Sequence, residues 1–205
     1  MTVDYLEVLV EEPSMEIALE SLLPRLLPGM SFRIHAHQGK QDLLRKLPSK
    51  LAAYAKWLPP TSRILVVVDR DDEACLPLKQ RLEGDAASAG FARRAGQAGR
   101  GPRAVLNRIA VEELEAWYFG DWAAVRSAYP KAPAGTPNQS EYRAPDDIKG
   151  GTWEAFERVL QRAGYFAGGL RKLEAARSIV PRMEPSRNRS PSFRALCDGL
   201  RRLVT

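Results

Sequence analysis

An unbroken apolar run that ends abruptly in acidic residues constrains the fold of this chain more than any other feature. Ile64 to Val68 are all apolar, and Asp69-Arg70-Asp71-Asp72-Glu73 follows at once. Such a run is typical of a strand that is buried on both faces of a parallel sheet. Open parallel sheets carry their ligand sites at the carboxyl ends of strands, so these acids are candidates for a site. The alternative is a solvated acidic turn that caps the next helix.

Asp69 and Asp71 have the spacing of a metal-binding pair. On an extended backbone, side chains two residues apart leave the strand on the same side, where one cation could bind both. Without a cation the carboxylates would repel each other, and at least one pKa would rise. Oxygen ligands with no nearby His or Cys favour Mg²⁺ or Mn²⁺ over Zn²⁺. We therefore predict a Mg²⁺ or Mn²⁺ site at this strand end.

Size and composition narrow the class of protein. The chain has 205 residues, of which 44% are hydrophobic, enough for one domain with an appendage. No run of eighteen apolar residues occurs, and the N-terminus lacks the features of a signal peptide. Cys75 and Cys197 do not have metal-type spacing. These observations predict a cytoplasmic protein without a membrane segment.

The positive charge of the chain lies in its second half. Residues 1–90 contain 11 Lys and Arg and 13 Asp and Glu, a net charge of −2, whereas residues 91–205 contain 20 and 12, a net charge of +8. A basic half beside an acidic pocket is expected when a polyanion must bring a phosphate to a metal. The predicted partner is therefore nucleic acid, DNA or RNA, contacted by Arg93, Arg94, Arg100, Arg171, Lys172, Arg187 and Arg189.

Two of these basic groups have alternative interpretations. The segment from Phe91 to Arg103 contains four arginines, three glycines and no acid, which suits a phosphate-contacting loop and an ordinary solvated connector equally well. Arg187 and Arg189 either hold backbone phosphates or form salt bridges to acidic groups of the protein itself.

The order of the predicted elements is that of an α/β protein. Strands are predicted at residues 3–10, 31–36, 64–68 and 104–111, and helices from residue 13 to Pro28, at 42–58, at 76–89 and in three stretches after residue 152. We expect a mostly parallel sheet flanked by helices over residues 1–129. Residues 130–205 are predicted to form a linker and a basic helical extension on the same core. Acids also follow the first and last strands, at Glu11 and Glu113.

Two motifs in this order resemble the Toprim domain of topoisomerases, primases and overcoming-lysogenization-defect nucleases. They are the stretch from Val10 to Ser14, between a strand and a helix, and Asp69-Arg70-Asp71 after a later strand. The resemblance implies a Toprim-like fold in which Glu11, Asp69 and Asp71 hold magnesium. This chain has Glu12 where many Toprim nucleases have glycine, and the second acid of that motif is displaced to Glu16.

A closer resemblance spans nearly the whole chain. Five segments resemble a bacterial Toprim-like family of undefined function that is often encoded beside ATPases of the structural-maintenance-of-chromosomes type: residues 10–16, 69–75, 113–117, 149–152 and 187–190. By kinship with other such pairs, this resemblance implies a nuclease in anti-phage defence with an ATPase partner. A homo-oligomer is also compatible with the sequence.

Phosphodiester hydrolysis needs an acidified water, a charge clamp on the phosphate and stabilisation of the leaving oxygen, which metal ions can supply. We assign Glu11, Asp69 and Asp71 to the principal metal. A second metal would be completed by Glu73, Glu16 or Glu113. Lys149, in a Gly-rich turn, could neutralise charge in the transition state or could be an ordinary surface lysine.

Three other interpretations compete with the nuclease. The chain could be a non-catalytic regulatory or nucleic-acid-binding subunit of an ATPase complex. A haloacid-dehalogenase-type phosphatase also has Asp-x-Asp after an apolar strand, but normally on the first strand, with Thr or Val where this chain has Glu73. A nucleotide-sugar transferase would ordinarily be longer. His35 and His37 could ligate a metal or, as we expect, lie hydrogen-bonded or exposed at a strand end.

Overall fold

The apolar runs of the sequence form one parallel sheet in the computed structural model, which describes residues 2–71, 73–91 and 104–205. Within these residues its strands are β1 (Tyr5–Val10), β2 (Ser31–Ala36), β3 (Ser62–Asp69) and β4 (Val105–Ala110). Their order is β2-β1-β3-β4, and every neighbouring pair is parallel. The predicted α/β class with a parallel sheet flanked by helices is confirmed.

Eight α-helices of the described residues connect and cover the strands. They are α1 (Pro13–Leu26), α2 (Lys40–Trp57), α3 (Cys75–Ser88), α4 (Leu114–Gly120), α5 (Trp122–Ala128), α6 (Thr152–Arg162), α7 (Lys172–Ile179) and α8 (Pro191–Val204). Short 3₁₀ helices lie at Thr136–Asn138, Pro145–Asp147 and Val180–Arg182. In the described part of the chain, no helix is both long and apolar enough to cross a lipid bilayer.

Helices cover both faces of the sheet, which explains the unbroken apolar run in β3. Val66 and Val68 pack with residues of α2 and α3 on one face. Leu65 and Val67 pack on the other face, with residues of α1 and of α4 to α8. Residues 64–68 are at most 1% exposed, so the prediction of a strand buried on both faces is confirmed.

The C-terminal helices share the core of the sheet. Phe156 of α6 and Leu200 of α8 belong to the same apolar cluster as Leu6 of β1 and Leu65 of β3. The segment before α6 runs through two of the 3₁₀ helices, and its residue Tyr142 is buried in that cluster. The division between residues 129 and 130 stays a prediction.

Asn188 joins the end of α4 to the start of α8. Its side-chain amide donates to the carbonyl oxygen of Trp117 (2.9 Å), and its Oδ1 accepts from the amide nitrogen of Ser190 (2.9 Å). Gly120 makes room for this contact, because a Cβ at Gly120 would lie 2.9 Å from the Ser190 nitrogen and 3.0 Å from Asn188 Cγ. The last residue of α4 must therefore lack a side chain.

Gly120→Ala is expected to lower the free energy of unfolding by about 1–3 kcal/mol, because an added methyl group overpacks this junction. Urea denaturation measures the change. The matched control is Gly84→Ala in α3, where a Cβ meets nothing within 4 Å. That variant should be neutral or more stable by up to about 1 kcal/mol. Equal effects of the two substitutions would contradict the packing explanation.

Candidate metal centre

The strand order places Glu11 and Asp69 on either side of a crevice. From β1 the chain moves outward to β2, then crosses back over β1 to form β3 on its other side. At such a reversal the loops after the two central strands diverge, and ligands bind in the gap between them. Glu11 directly follows β1, and Asp69 is the last residue of β3. The two acids therefore converge at the carboxyl end of adjacent strands.

Glu11 and Asp69 are in direct contact. The Asp69 amide nitrogen donates to Glu11 Oε2 (3.2 Å). The Asp69 residue is 4% exposed, and its Oδ1 has no hydrogen-bond partner among the described residues. Burial, and next the charge of Glu11, raise the pKa of Asp69 well above its usual value. Burial also raises the pKa of Glu11 to about 7, although the Asp69 amide opposes this.

A third carboxylate, Glu115, enters from the first turn of α4. It is 1% exposed, and its Oε2 lacks a hydrogen-bond partner within the described residues. Burial raises the pKa of Glu115 to about 7. The charges of Glu115 and Glu12 both raise the pKa of Asp69, so these two acids border the same centre. The sequence-based assignment missed both residues, although the second acid of Glu113-x-Glu115 was a usable signal because the helix around it is otherwise apolar.

Glu113, predicted as a second metal ligand, lies beside the centre but has other partners. Its Oε2 accepts from Thr152 Oγ1 (3.1 Å) and from the Trp153 amide nitrogen (3.0 Å). Its Oε1 is 3.9 Å from Lys172 Nζ. Burial raises the pKa of Glu113, whereas Lys172 lowers it. Glu113 thus anchors the first turn of α6.

Asp71 does not continue the extended backbone of β3, so that expectation was wrong. It has a φ of 48°, and its amide nitrogen donates to the carbonyl oxygen of Glu112 (3.2 Å). Lys40 Nζ lies 2.7 Å from Asp71 Oδ2 and 3.5 Å from Glu73 Oε1. Asp71 remains close enough to raise the pKa of Glu11. It belongs to an outer layer of the centre, held by a buried lysine that the sequence analysis missed.

A cleft of about 680 Å³ opens over this outer layer. The turn after β3, the turn after β4 and the segment before α6 line it. Asp71, Glu73 and Glu113 border this cleft together with Lys149 and Trp153. The structure therefore brings the predicted Lys149 to the same cleft as three of the predicted acids.

One known family matches most of the chain. A family model described as a domain of unknown function, DUF4276, matches residues 10–201. The chain belongs to the DUF4276 family. No curated protein matches the chain, and no solved structure does. The match spans the residues after β1, β3 and β4, so the candidate centre of this DUF4276 protein lies within the family's domain.

Other predicted ligands lie apart from the centre or have separate partners. Glu16 lies in the first turn of α1, and within the described residues no hydrogen bond or ion pair joins its carboxylate to Glu11 or Asp69. His35 Nε2 is 2.8 Å from Glu7 Oε2, and His37 Nδ1 is 2.8 Å from the carbonyl oxygen of Val10. Both histidines are therefore hydrogen-bonded, as expected from the sequence.

The predicted phosphate-binding residues of this DUF4276 protein have varied surroundings. Arg187 donates through Nε and Nη2 to the two carboxylate oxygens of buried Asp121 (2.7 and 2.9 Å). Arg189 donates to the carbonyl oxygen of Arg143. Arg171 pairs with Glu174 and lies over the ring of Phe166, and Lys172 pairs with Glu113. Arg93, Arg94, Arg100 and Arg103 lie outside the described residues. Phosphate binding stays a prediction for all of them.

The donor set of the centre suits a hard divalent cation. Asp69 and Glu115 each present a buried carboxylate oxygen without a partner among the described residues, and every donor is an oxygen. A cation would offset the burial cost that raises the pKa values of Glu11, Asp69 and Glu115. As they stand, the described His, Cys, Asp and Glu side chains form no group of three arranged as metal ligands. Glu11 and Asp69 are the residues that would hold a cation, because they meet at the ends of β1 and β3.

Proposed function

We propose that this DUF4276 protein is a Toprim-type nuclease that hydrolyses phosphodiester bonds in DNA or RNA with Mg²⁺ or Mn²⁺. The observation that carries the proposal is the contact between Glu11 and Asp69 at the crevice between β1 and β3. Two separate strands deliver these acids to one point, although buried carboxylates repel each other. The hydrogen bond from the Asp69 amide offsets only part of the cost of burying the two acids, and a bound cation would offset more of it.

Each residue of the site has a role in this proposal. Glu11 and Asp69 hold the divalent cation, whose chemistry is to make a water more acidic and to neutralise charge on the phosphate. Hydrolysis forms a bond from the water oxygen to phosphorus and breaks the bond from phosphorus to a sugar oxygen, which leaves with a proton. Asp71 and Glu73 border the cleft where the phosphate would lie, and Lys40 keeps both in place. Lys149 in that cleft can neutralise developing negative charge.

The wider setting is part of the proposal. The resemblance of residues 10–16 and 69–75 to Toprim-like proteins supports a nuclease that acts in the cytoplasm with an ATPase partner, in defence against phage. The net charge of +8 in residues 91–205 supports a nucleic-acid substrate, because it would attract a polyanion.

A second candidate function is a non-catalytic module that regulates an ATPase. The ion pair between Lys40 and Asp71 favours it, because a carboxylate that already has a buried ammonium partner needs no metal. In that case Asp71 and Glu73 stabilise the turn after β3, and the protein acts through its surface alone.

Cleavage assays separate the two candidates. Supercoiled plasmid and transfer RNA are incubated with the protein in Mn²⁺, in Mg²⁺ or in EDTA. We expect cleavage of at least one substrate with a divalent cation and none in EDTA. Glu11→Gln should lower the rate by roughly 10²-fold, because a neutral amide is a weaker ligand for a cation than a carboxylate.

The control for this assay is Glu20→Gln, on the exposed side of α1. It removes the same charge from an exposed position in the helix that follows β1, and it should keep the wild-type rate. Equal cleavage rates for Glu11→Gln and Glu20→Gln would contradict the proposed nuclease site. Cleavage that persists in EDTA would contradict it as well. Absence of cleavage of both substrates with either cation would favour the regulatory module.

A further inference from the structure

Lys172 reaches the acidic centre from the start of α7. Its Nζ lies 3.9 Å from Glu113 Oε1 and 5.6 Å from the centre of the Trp153 ring. The side chain is 31% exposed, so most of it is covered by protein. An ammonium group over an aromatic face and beside a carboxylate is held by two attractive interactions. The position of this charge is therefore built into the fold.

The partners of Lys172 are themselves fixed. Glu113 accepts hydrogen bonds from Thr152 and Trp153 through one oxygen and presents the other to the ammonium. These contacts join the turn after β4, the first turn of α6 and the first residue of α7. Because Glu113 Oε2 already accepts two hydrogen bonds and Oε1 lies 3.9 Å from Lys172 Nζ, a metal ion at Oε1 would have to share that oxygen with the ammonium group.

The charge of Lys172 acts on several acids at once. Burial alone would lower the pKa of Lys172, but the charges of Glu115, Glu12, Glu113 and Asp69 raise it. In return, Lys172 lowers the pKa values of Glu113 and Glu115 against the effect of their burial. One ammonium group thus compensates part of the negative charge on the α4 side of the centre.

On the opposite side of the centre, the charge of Lys40 lowers the pKa of Glu11, but Lys40 is not paired with Glu11 or Asp69. Within the described residues, no lysine or arginine forms a hydrogen bond or ion pair with the carboxylate of Glu11 or Asp69. Lys40, the nearest candidate, is paired with Asp71 and donates to the carbonyl oxygen of Arg70 (2.8 Å). Asp69 Oδ1 has no hydrogen-bond partner among the described residues, and the same is true of Glu115 Oε2. In the described part of the chain, Glu11 and Asp69 therefore lack a directly paired cation, whereas Glu113 has one.

We propose that Lys172 is a permanent counter-cation for Glu113 and Glu115, so that the centre binds one divalent cation, at Glu11 and Asp69, and not two. This inference rests on the proposed metal-dependent function and deepens it. Lys172 is a positioning residue in this inference, because it acts through Glu113 and Glu115. A lysine cannot be released as an ion can, so the α4 side stays compensated when the divalent cation leaves.

Calorimetric titration with Mn²⁺ tests this inference. The protein is freed of metal with EDTA, dialysed and titrated as the full chain. Wild type and Lys172→Arg should bind one Mn²⁺ per chain, because both keep a cation at this position. Lys172→Met should bind two, because its α4 acids then lack a counter-cation. The matched control, Lys56→Met, removes the same charge from an exposed position of α2 and should bind one.

Thermal unfolding supplies a second readout. In EDTA, Lys172→Met should melt at a lower temperature than Lys56→Met, and saturating Mn²⁺ should remove that difference. If Lys172 had only a structural role, Lys172→Met would lose stability without gaining a Mn²⁺ site. If Mn²⁺ does not restore Lys172→Met, the inference is overturned, because a divalent cation then cannot replace the ammonium.

The outcomes for wild type separate this inference from the proposed function. Two Mn²⁺ per wild-type chain would overturn the role of Lys172 and leave the nuclease intact. One Mn²⁺ with the same affinity in wild type and Lys172→Met would do the same. No bound Mn²⁺ together with no cleavage would overturn the metal-dependent nuclease itself.

Discussion

Asp69→Asn is expected to abolish Mn²⁺ binding and to lower the rate of metal-dependent cleavage on the order of 10³-fold or more. The amide has the shape of the carboxylate, so the packing at the end of β3 should survive. The substitution removes the charge of a carboxylate that is only 4% exposed and whose Oδ1 has no hydrogen-bond partner among the described residues. Because that charge is costly to bury, metal-free Asp69→Asn should be at least as stable as wild type at neutral pH.

Calorimetric titration with Mn²⁺, cleavage assays and urea denaturation in EDTA measure these effects together. Asp85→Asn is the control, since Asp85 lies in the last turn of α3 and its pKa is also raised by burial. It should keep wild-type metal binding and cleavage. Wild-type Mn²⁺ affinity in Asp69→Asn would show that this carboxylate does not hold the cation. A folded variant that neither binds Mn²⁺ nor cleaves would support the site.

Glu115→Gln is expected to stabilise the metal-free protein increasingly as the pH rises. The folded pKa of Glu115 is raised by burial from 4.5 to about 7. Between these values the folded state binds more protons than the unfolded state, so wild type loses stability as the pH rises. Below pH 4.5 the two proteins should differ little. Above pH 7 the variant should be more stable, by on the order of 3 kcal/mol for a fully buried group.

Urea denaturation in EDTA at several pH values between 5 and 8 gives the two stability curves. The difference between wild type and variant removes the contributions common to both curves, so it reports Glu115 together with the effect of its charge on Asp69. The exposed Glu20→Gln should show no pH-dependent difference. If the difference between wild type and Glu115→Gln is the same at pH 5 and pH 8, Glu115 is ionised in the folded state across that range. The burial cost that a cation would offset at the centre would then be smaller than we infer.

Local patterns predicted most of the secondary structure of this protein. The helix that begins at Pro13 and the strand at residues 31–36 were placed correctly, because Pro13, Pro28 and Gly29 mark helix limits through backbone geometry alone. The largest errors at element ends are small, as for α2, which begins at Lys40 and not at Asp42. These features depend on residues within a few positions of one another, so the sequence exposes them.

The residues of the centre were only partly predictable. Glu11 and Asp69 could be found because each follows a strand, and acids at strand ends are visible in the sequence. Glu115 could be found only from the apolar residues around it in the helix, a signal that the assignment did not use. It is buried in a helix against which α6 and the 3₁₀ helix at Pro145–Asp147 pack, and both of these elements come from distant parts of the chain. Lys40 was missed for the same reason, since its partners Asp71 and Glu73 lie in a distant turn.

Local sequence patterns were enough to predict the strands and most of the helices, and to show that acids follow three of the strands. Hydrophobic periodicity and the conformational limits of proline and glycine act locally, so they can be seen without coordinates. Which acids meet could be established only from the three-dimensional arrangement of the strands. The order β2-β1-β3-β4 makes β1 and β3 neighbours, so Glu11 and Asp69 touch although 58 positions separate them. It also turns Asp71 toward Lys40 and Glu113 toward Lys172. Strand order and ion pairing arise from packing between distant segments, which no local pattern encodes.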